Sequence, residues 1–255
     1  MAEAYLFDLD GTLYAGGAAI PGASALLREL QTRGVPFRLV TNTTSRSRAM
    51  LVERLRGYGF EVAAEELFTA VLAGVELLRA AGHRSVAPFV PEPALEDMRG
   101  VDLVVSGDGR RADAVVIGDL GDGWDYALLQ RAFEHLMNGA ALVALSRDRY
   151  WLRDGRLVLD AGPFVAALEY ATGVTAAVAG KPSAMFYAAA VRSLGFEGRE
   201  HEVVMVGDDL WSDIEGAQRA GLRGWVVRTG KFREAVLAGS GVTPDRILTS
   251  VTDVV

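Results

Sequence analysis

Two aspartates separated by one leucine, Asp8-Leu9-Asp10, end a short apolar run and lead into Gly11-Thr12. Alternate residues leaving a strand bring two carboxylates toward one point, and like charges that close raise each other's pKa unless a cation lies between them. A hard divalent ion with oxygen ligands removes the repulsion, and magnesium suits a site shared with phosphate. One carboxylate can then attack phosphorus while the other handles a proton. An acidic turn after an edge strand is the competing reading of this motif taken alone.

Three further signals follow. Thr41-Asn42-Thr43-Thr44, after the run FRLV, offers hydroxyl, amide and backbone donors at a helix start, suited to a phosphoryl oxygen or simply to an N-cap. Gly180-Lys181-Pro182 holds a lysine at a loop-to-helix start, where its ammonium could neutralise a transferring phosphoryl group. Gly207-Asp208-Asp209-Leu210-Trp211-Ser212-Asp213 follows VVMV, and capping explains one of its acids but not the rest. Each signal is ambiguous by itself. Their order, each at the end of a predicted strand or the start of a helix, is not.

The elements that must position these residues alternate. Tyr5–Leu9 and Pro36–Thr41 read as strands, and Ser24–Arg33 and Ser47 to about Tyr58 as helices. The pattern returns late, with a helix over Ala184–Leu194, a buried strand over Val203–Val206, a helix over Ile214–Ala220 and a strand over Gly224–Arg228. Strands alternating with amphipathic helices predict an α/β fold, a doubly wound Rossmann-like parallel sheet with ligands at its carboxyl edge. From Val71 to Ala179 the signals change: Val115–Ile117, Tyr126–Leu136 and Leu142–Leu145 keep α/β periodicity, but none of these strands ends in such a polar cluster. The expectation is a core of residues 1–70 and 180–255 interrupted by an inserted α/β cap domain, residues 71–179.

Composition narrows the function classes. The chain has 255 residues, half of them apolar, and a net charge of −7 with its basic residues scattered, so nothing predicts a nucleic-acid partner. An acidic chain that handles phosphate needs local cations or a metal. With no cysteine, thiol catalysis and disulfide scaffolding are excluded. No apolar stretch reaches the length of a membrane span and MAEAYLFDLDGT has no leader-like pattern, so the expectation is a cytoplasmic protein without a membrane partner.

With these motifs in order along its whole length, the chain resembles the haloacid dehalogenase superfamily of phosphohydrolases. The insertion resembles the subclass with a large α/β cap, which includes sugar-phosphate and nitrophenylphosphate phosphatases. TNTTS, GKP, the GDD segment and Arg228–Phe232 (RTGKF) resemble the phospholysine phosphohistidine inorganic pyrophosphate phosphatase group and its uncharacterised relatives. The resemblance implies a Mg²⁺-dependent phosphatase acting on a small phosphomonoester or phosphoanhydride through an aspartyl-phosphate. Asp8 would be nucleophile and metal ligand, and Asp10 the general acid and base, giving the metal its backbone carbonyl. Thr41 and Asn42 would hold the phosphoryl group, Lys181 would neutralise it, and Asp208 would complete the metal ligands. Asp213 would align a water or Lys181, with Asp209 in a lesser supporting role. Many relatives carry an acid or Asn where Trp211 stands here.

Other residues carry less. His83, His135 and His201 lack metal-ligand spacing, and Gly107-Asp108-Gly109 and Gly121-Asp122-Gly123 read as tight turns. Arg46 and Arg48 fit a solvated helix face, while Gly118–Asp125 and Ser146–Trp151 are candidate cap loops for choosing the leaving group. The rival functions are a phosphotransferase or mutase and a non-catalytic phospho-accepting signalling domain, which needs about half this length and no insertion. The expected partner is a small phosphorylated substrate, with a homodimer as the candidate assembly.

Overall fold

The structure is a computed structural model and describes residues 3–104, 109–153 and 155–255. Of the turn expected at Gly107-Asp108-Gly109, Gly107 and Asp108 lie outside the described residues. In chain order the strands used below are β1 Ala4–Asp8, β2 Phe37–Thr41, β3 Leu67–Thr69, β4 Ser85–Phe89, β5 Asp102–Leu103, β6 Ala114–Ile117, β7 Ala141–Ala144, β8 Ala177–Val178, β9 Val203–Gly207, β10 Arg223–Val227 and β11 Arg246–Leu248.

Two compact units divide the chain: residues 1–41, 48–68 and 181–255 form one, and 42–47 with 69–180 form the other. The first is built on a six-stranded sheet in the order β11-β10-β9-β1-β2-β3. β1 pairs in parallel with β9 (Phe7 opposite Val206) and with β2 (Asp8 opposite Val40). The first strand is therefore central, with its sequence neighbour on one side and a strand from near the far end of the chain on the other. Ligands bind at such a reversal of strand order, at the carboxyl ends. Central parallel strands are covered on both faces, and AYLFD and VVMVG are buried throughout.

The helix Ala23–Thr32 buries Ala23, Leu26, Leu27 and Leu30, the spacing of one helical face. Phe7 lies in the core with its ring 5.5 Å from that of Tyr5 and 6.2 Å from that of Phe37. The helix Ala184–Leu194 matches its sequence expectation residue for residue. Ser183 Oγ accepts the Met185 N–H at its start, and Gly195, with φ of 78°, ends it.

The second unit has its own parallel sheet, β8-β7-β6-β4-β5, and its own apolar core with the helices Tyr126–Met137 and Gly162–Thr172. Asp125 caps the first of these helices by accepting the Leu128 N–H at 2.7 Å. Trp124 stacks on Phe164 and Phe89, with centroids 4.7 and 6.1 Å away. The short segment 42–47 belongs here because Thr44 Oγ1 accepts the Asp119 N–H at 2.8 Å and Asn42 Nδ2 donates to Asp148 at 3.3 Å. Gly121–Gly123 forms a 3₁₀ turn, and Tyr150–Arg153, which takes in the end of the Ser146–Trp151 segment, pairs with Arg156–Leu159 in an antiparallel hairpin. Among the described residues, no helix is long and apolar enough to cross a membrane.

Phe7 is fully buried in the first unit's core. Phe7→Ala should lower the unfolding free energy by about 3–5 kcal/mol. Urea denaturation measures it, and a loss under about 1 kcal/mol would contradict the packing described.

Candidate active site

The first unit carries a cluster of acids at the carboxyl edge of its sheet. Asp8 is the last residue of β1, Thr41 the last of β2, and Asp208 follows β9 directly. The apolar strands fix the backbone so that each polar residue leaves the sheet at the same edge. Asp8, Asp208 and Asp213 each offer a carboxylate oxygen, all within 4.8 Å of one another. This donor set is hard and anionic, the chemistry that holds a divalent cation of the magnesium type.

Lys181 is buried among these acids. Its Nζ donates to Asp8 Oδ1 at 2.5 Å and to Asp213 Oδ1 at 2.6 Å. The other oxygen of Asp213, Oδ2, accepts the Asp209 N–H at 3.1 Å. Asp209 turns to its own helix, where Oδ1 accepts the Trp211 and Ser212 N–H groups, both at 3.0 Å. That cap starts the turn earlier than the sequence pattern suggests. Leu210–Glu215 is a π-helical turn that runs into the α-helix Gly216–Arg219, where the periodicity predicts a start at Ile214. The wide turn brings Asp213 back beneath Gly207, where a Cβ would lie 2.3 Å from Asp213 Oδ2.

Asp10 stands apart from the carboxylate cluster. Its side chain is exposed on one side, while protein crowding on the other raises its pKa against the opposing charges of Arg54 and Lys231. Thr41 is buried, whereas Asn42 is half-buried and groups with the second unit. Arg48 donates to the Ala64 carbonyl at 3.4 Å. His83 and His135 belong to the second unit, and His201 is exposed and 3.8 Å from Glu202.

Sequence reasoning assigned no role to two residues that shape the cluster. Tyr187 Oη donates to the Ser212 carbonyl at 2.5 Å and lies 3.2 Å from the Asp213 carbonyl, clamping the backbone that carries Asp213. Lys231 donates its backbone N–H to Asp208 Oδ2 at 2.6 Å, and its Nζ lies 3.3 Å from Asp209. Tyr187 gave no signal beyond helical periodicity. Lys231 did: RTGK follows the apolar strand β10, the same placement that marks the other motifs.

Comparison with known proteins places this geometry in context. The model of the haloacid dehalogenase-like hydrolase family matches residues 5–104, and a HAD-hydrolase-like model matches residues 178–254. The chain is 42% identical over 235 residues to the bovine (Bos taurus) haloacid dehalogenase-like hydrolase domain-containing protein 2, covering 91% of this chain and 86% of the relative. It is 39% identical over 234 residues to the Bos taurus phospholysine phosphohistidine inorganic pyrophosphate phosphatase, covering 89% and 83%. The solved p-nitrophenyl phosphatase from Archaeoglobus fulgidus superposes with a TM-score of 0.89 at 26% identity, covering 99% of this chain and 97% of that one.

Burial and the nearby charges of Asp8 and Asp213 raise the Asp208 pKa to about 8. Burial raises Asp213 to about 7, against the pull of Lys181 and with the push of Asp8. The charges of Asp213 and Asp8 hold Lys181 well above the usual lysine range despite its burial, so it stays protonated. Between the ordinary carboxylate range and these raised values, the folded chain holds more protons than the unfolded one, so stability falls as pH rises. In chelator the denaturant midpoint should therefore decline from about pH 5 to about pH 8, and Asp208→Asn should flatten the decline. Stability that climbs across this window in chelator would contradict the assignment.

Proposed function

The chain belongs to the haloacid dehalogenase-like hydrolases and is an enzyme of the phosphoric ester hydrolase class, and from that premise we propose that it works through a phosphoaspartate formed on Asp8. The observation that carries the reading is the buried Lys181 held between Asp8 and Asp213, with Asp208 alongside. A nucleophilic carboxylate needs its charge balanced but its second oxygen available. Lys181 engages Asp8 through Oδ1 and leaves Oδ2 to attack.

An Asp8 oxygen attacks phosphorus, the bond from phosphorus to the leaving-group oxygen breaks, and Asp10 gives the leaving-group oxygen its proton. Asp10, now a base, takes a proton from water, whose oxygen attacks the phosphorus of the phosphoaspartate. The P–O bond to Asp8 breaks, so Asp8 keeps both of its oxygens. Thr41 and Asn42 hold the non-bridging oxygens of the phosphoryl group, and Lys181 offsets their charge. The raised pKa of Asp10 suits a group that must both donate and accept a proton.

The donor set fits magnesium: the carboxylates of Asp8 and Asp208 with the backbone carbonyl of Asp10 are the proposed ligands. When bound, the ion supplies positive charge against the phosphoryl oxygens and the clustered acids. Asp213 is within the cluster, but Lys181 and the Asp209 N–H occupy its two oxygens, which supports a positioning role. Asp209 supports the same turn by capping it.

A small phosphomonoester or phosphoanhydride is the proposed substrate. The second unit is read as the cap, with residues 118–125 and 146–151 selecting the leaving group. Changes in either loop should reorder a panel of phosphorylated metabolites while leaving magnesium affinity in place, and an unaltered ranking would count against the cap reading. Phosphotransfer to a second substrate position would appear in product analysis as transferred phosphate in place of free phosphate.

The two acids of the first motif separate the mechanism from its rivals. Excess chelator should abolish hydrolysis of nitrophenyl phosphate, and magnesium should restore it. Asp8→Asn should show no turnover and no phosphoenzyme. Asp10→Asn should be slowed on the order of 10²–10⁴-fold and, with this activated leaving group, accumulate phosphate on Asp8. Peptide mapping that places the phosphoryl group on another residue, or full activity in chelator, would overturn the proposal.

A further inference from the structure

Among the described residues, Lys181 Nζ contacts Asp8 and Asp213 and Lys231 Nζ contacts Asp209, whereas Asp208 is held by a backbone N–H from an element without an assigned role. The turn after β10, Thr229-Gly230-Lys231, closes over it. Lys231 donates its N–H to Asp208 Oδ2 at 2.6 Å. Thr229 Oγ1 donates to the Gly11 carbonyl at 2.5 Å, linking this turn to the loop that follows Asp8 and Asp10. The two glycines make the approach: a Cβ on Gly11 would lie 2.1 Å from Asp208 Oδ2, and one on Gly230 would lie 2.0 Å from it. A Cβ on Gly230 would also meet the Gly11 Cα at 2.6 Å. Both have positive φ, 89° and 63°, so neither backbone nor space admits an ordinary side chain.

We propose that Thr229 is a positioning residue: its hydroxyl latches the β10 turn to Gly11 so that the Lys231 N–H fixes the Asp208 carboxylate with Oδ1 presented to the cation. The proposal rests on the reading of Asp208 as a magnesium ligand. The hydroxyl sets the distance between two backbone segments, and that distance sets the slot for one carboxylate. The N–H engages one oxygen, so the carboxylate has one orientation in the slot. Hydrogen bonds that orient a ligand from outside the ligand set are typically worth about 10–100-fold in metal affinity. Without the Thr229 donor the slot widens, and Asp208 must be ordered at the moment of binding.

Magnesium affinity of the substrate-free full chain, read from the rise of its thermal midpoint on titration with magnesium chloride, tests this. Thr229→Val keeps the branched shape and loses the donor. It should bind magnesium about 10–100-fold more weakly, with its midpoint in chelator near that of the unaltered chain. Thr229→Ala should show the same loss and stands in if the valine variant does not fold. Thr229→Ser keeps the hydroxyl and should bind within about threefold of the unaltered chain. Asp208→Asn separates this idea from the one beneath it, because it should remove the magnesium-dependent rise. If Asp208→Asn binds as the unaltered chain does, the ligand reading fails and the latch with it. If Asp208→Asn loses binding while Thr229→Val and Thr229→Ala keep it, or if Thr229→Ser is as weak as Thr229→Val, the latch alone is wrong.

Discussion

Three carboxylates share a space less than 5 Å across around one buried ammonium, and the first unit is organised to make that arrangement tolerable. At such separations two unit charges repel on the order of 3 kcal/mol even at an effective dielectric of about 20. Lys181 offsets part of this by pairing with Asp8 and Asp213, and backbone donors from Asp209 and Lys231 take up further lone pairs. Once Asp208 and Asp213 give up the protons their raised pKa values retain, the remaining excess is negative, and it is what makes the site attract a cation and, through the cation, an anion. Replacing Lys181 by an apolar residue would leave the buried acids uncompensated and cost stability, whereas replacing Asp208 would ease the repulsion while removing a donor from the site.

The sheet meets this constraint with two central strands, β1 and β9, that carry no charged residue until they end. β1 and β9 are buried from first residue to last, so their backbones are fixed by packing on both faces. Asp8 and Asp208 are thus positioned by apolar burial several residues away. The π-helical turn after Asp209 serves the same end by another route, folding Asp213 back under the strand from which the segment emerged.

Much of this was legible in the sequence because strand-ending acids and glycines are local signals. The strand and helix periodicities located β1, β2, β9 and β10 to within a residue or two, and the Ala184–Leu194 helix without error. The start of the Leu210–Glu215 turn was not legible, because the capping carboxylate of Asp209 decides it and the sequence offered several acids for that role. Nor was the contribution of Tyr187, since its hydroxyl meets a carbonyl 25 residues later and no pattern encodes that contact. The strand Ser85–Phe89 escaped notice with Pro88 inside it, a residue that ordinarily argues against an interior strand. The segment 42–47 groups with the second unit through Thr44 and Asn42, a partition that depends on tertiary hydrogen bonds rather than on composition.

The pairing of β1 with β9 also has a meaning in the order of synthesis. When β1 leaves the ribosome, one of its two edges has a partner within the next few dozen residues, but the other waits for Val203–Gly207. At roughly 5–20 residues per second, that interval is on the order of ten to forty seconds. Throughout it, the first 68 residues present an apolar strand with an unpaired edge, the kind of surface that chaperones recognise and that neighbouring nascent chains can join. Residues 69–180 fill the interval with a unit that has its own sheet and core. The chain's first strand is thus among the last elements of the molecule to be enclosed.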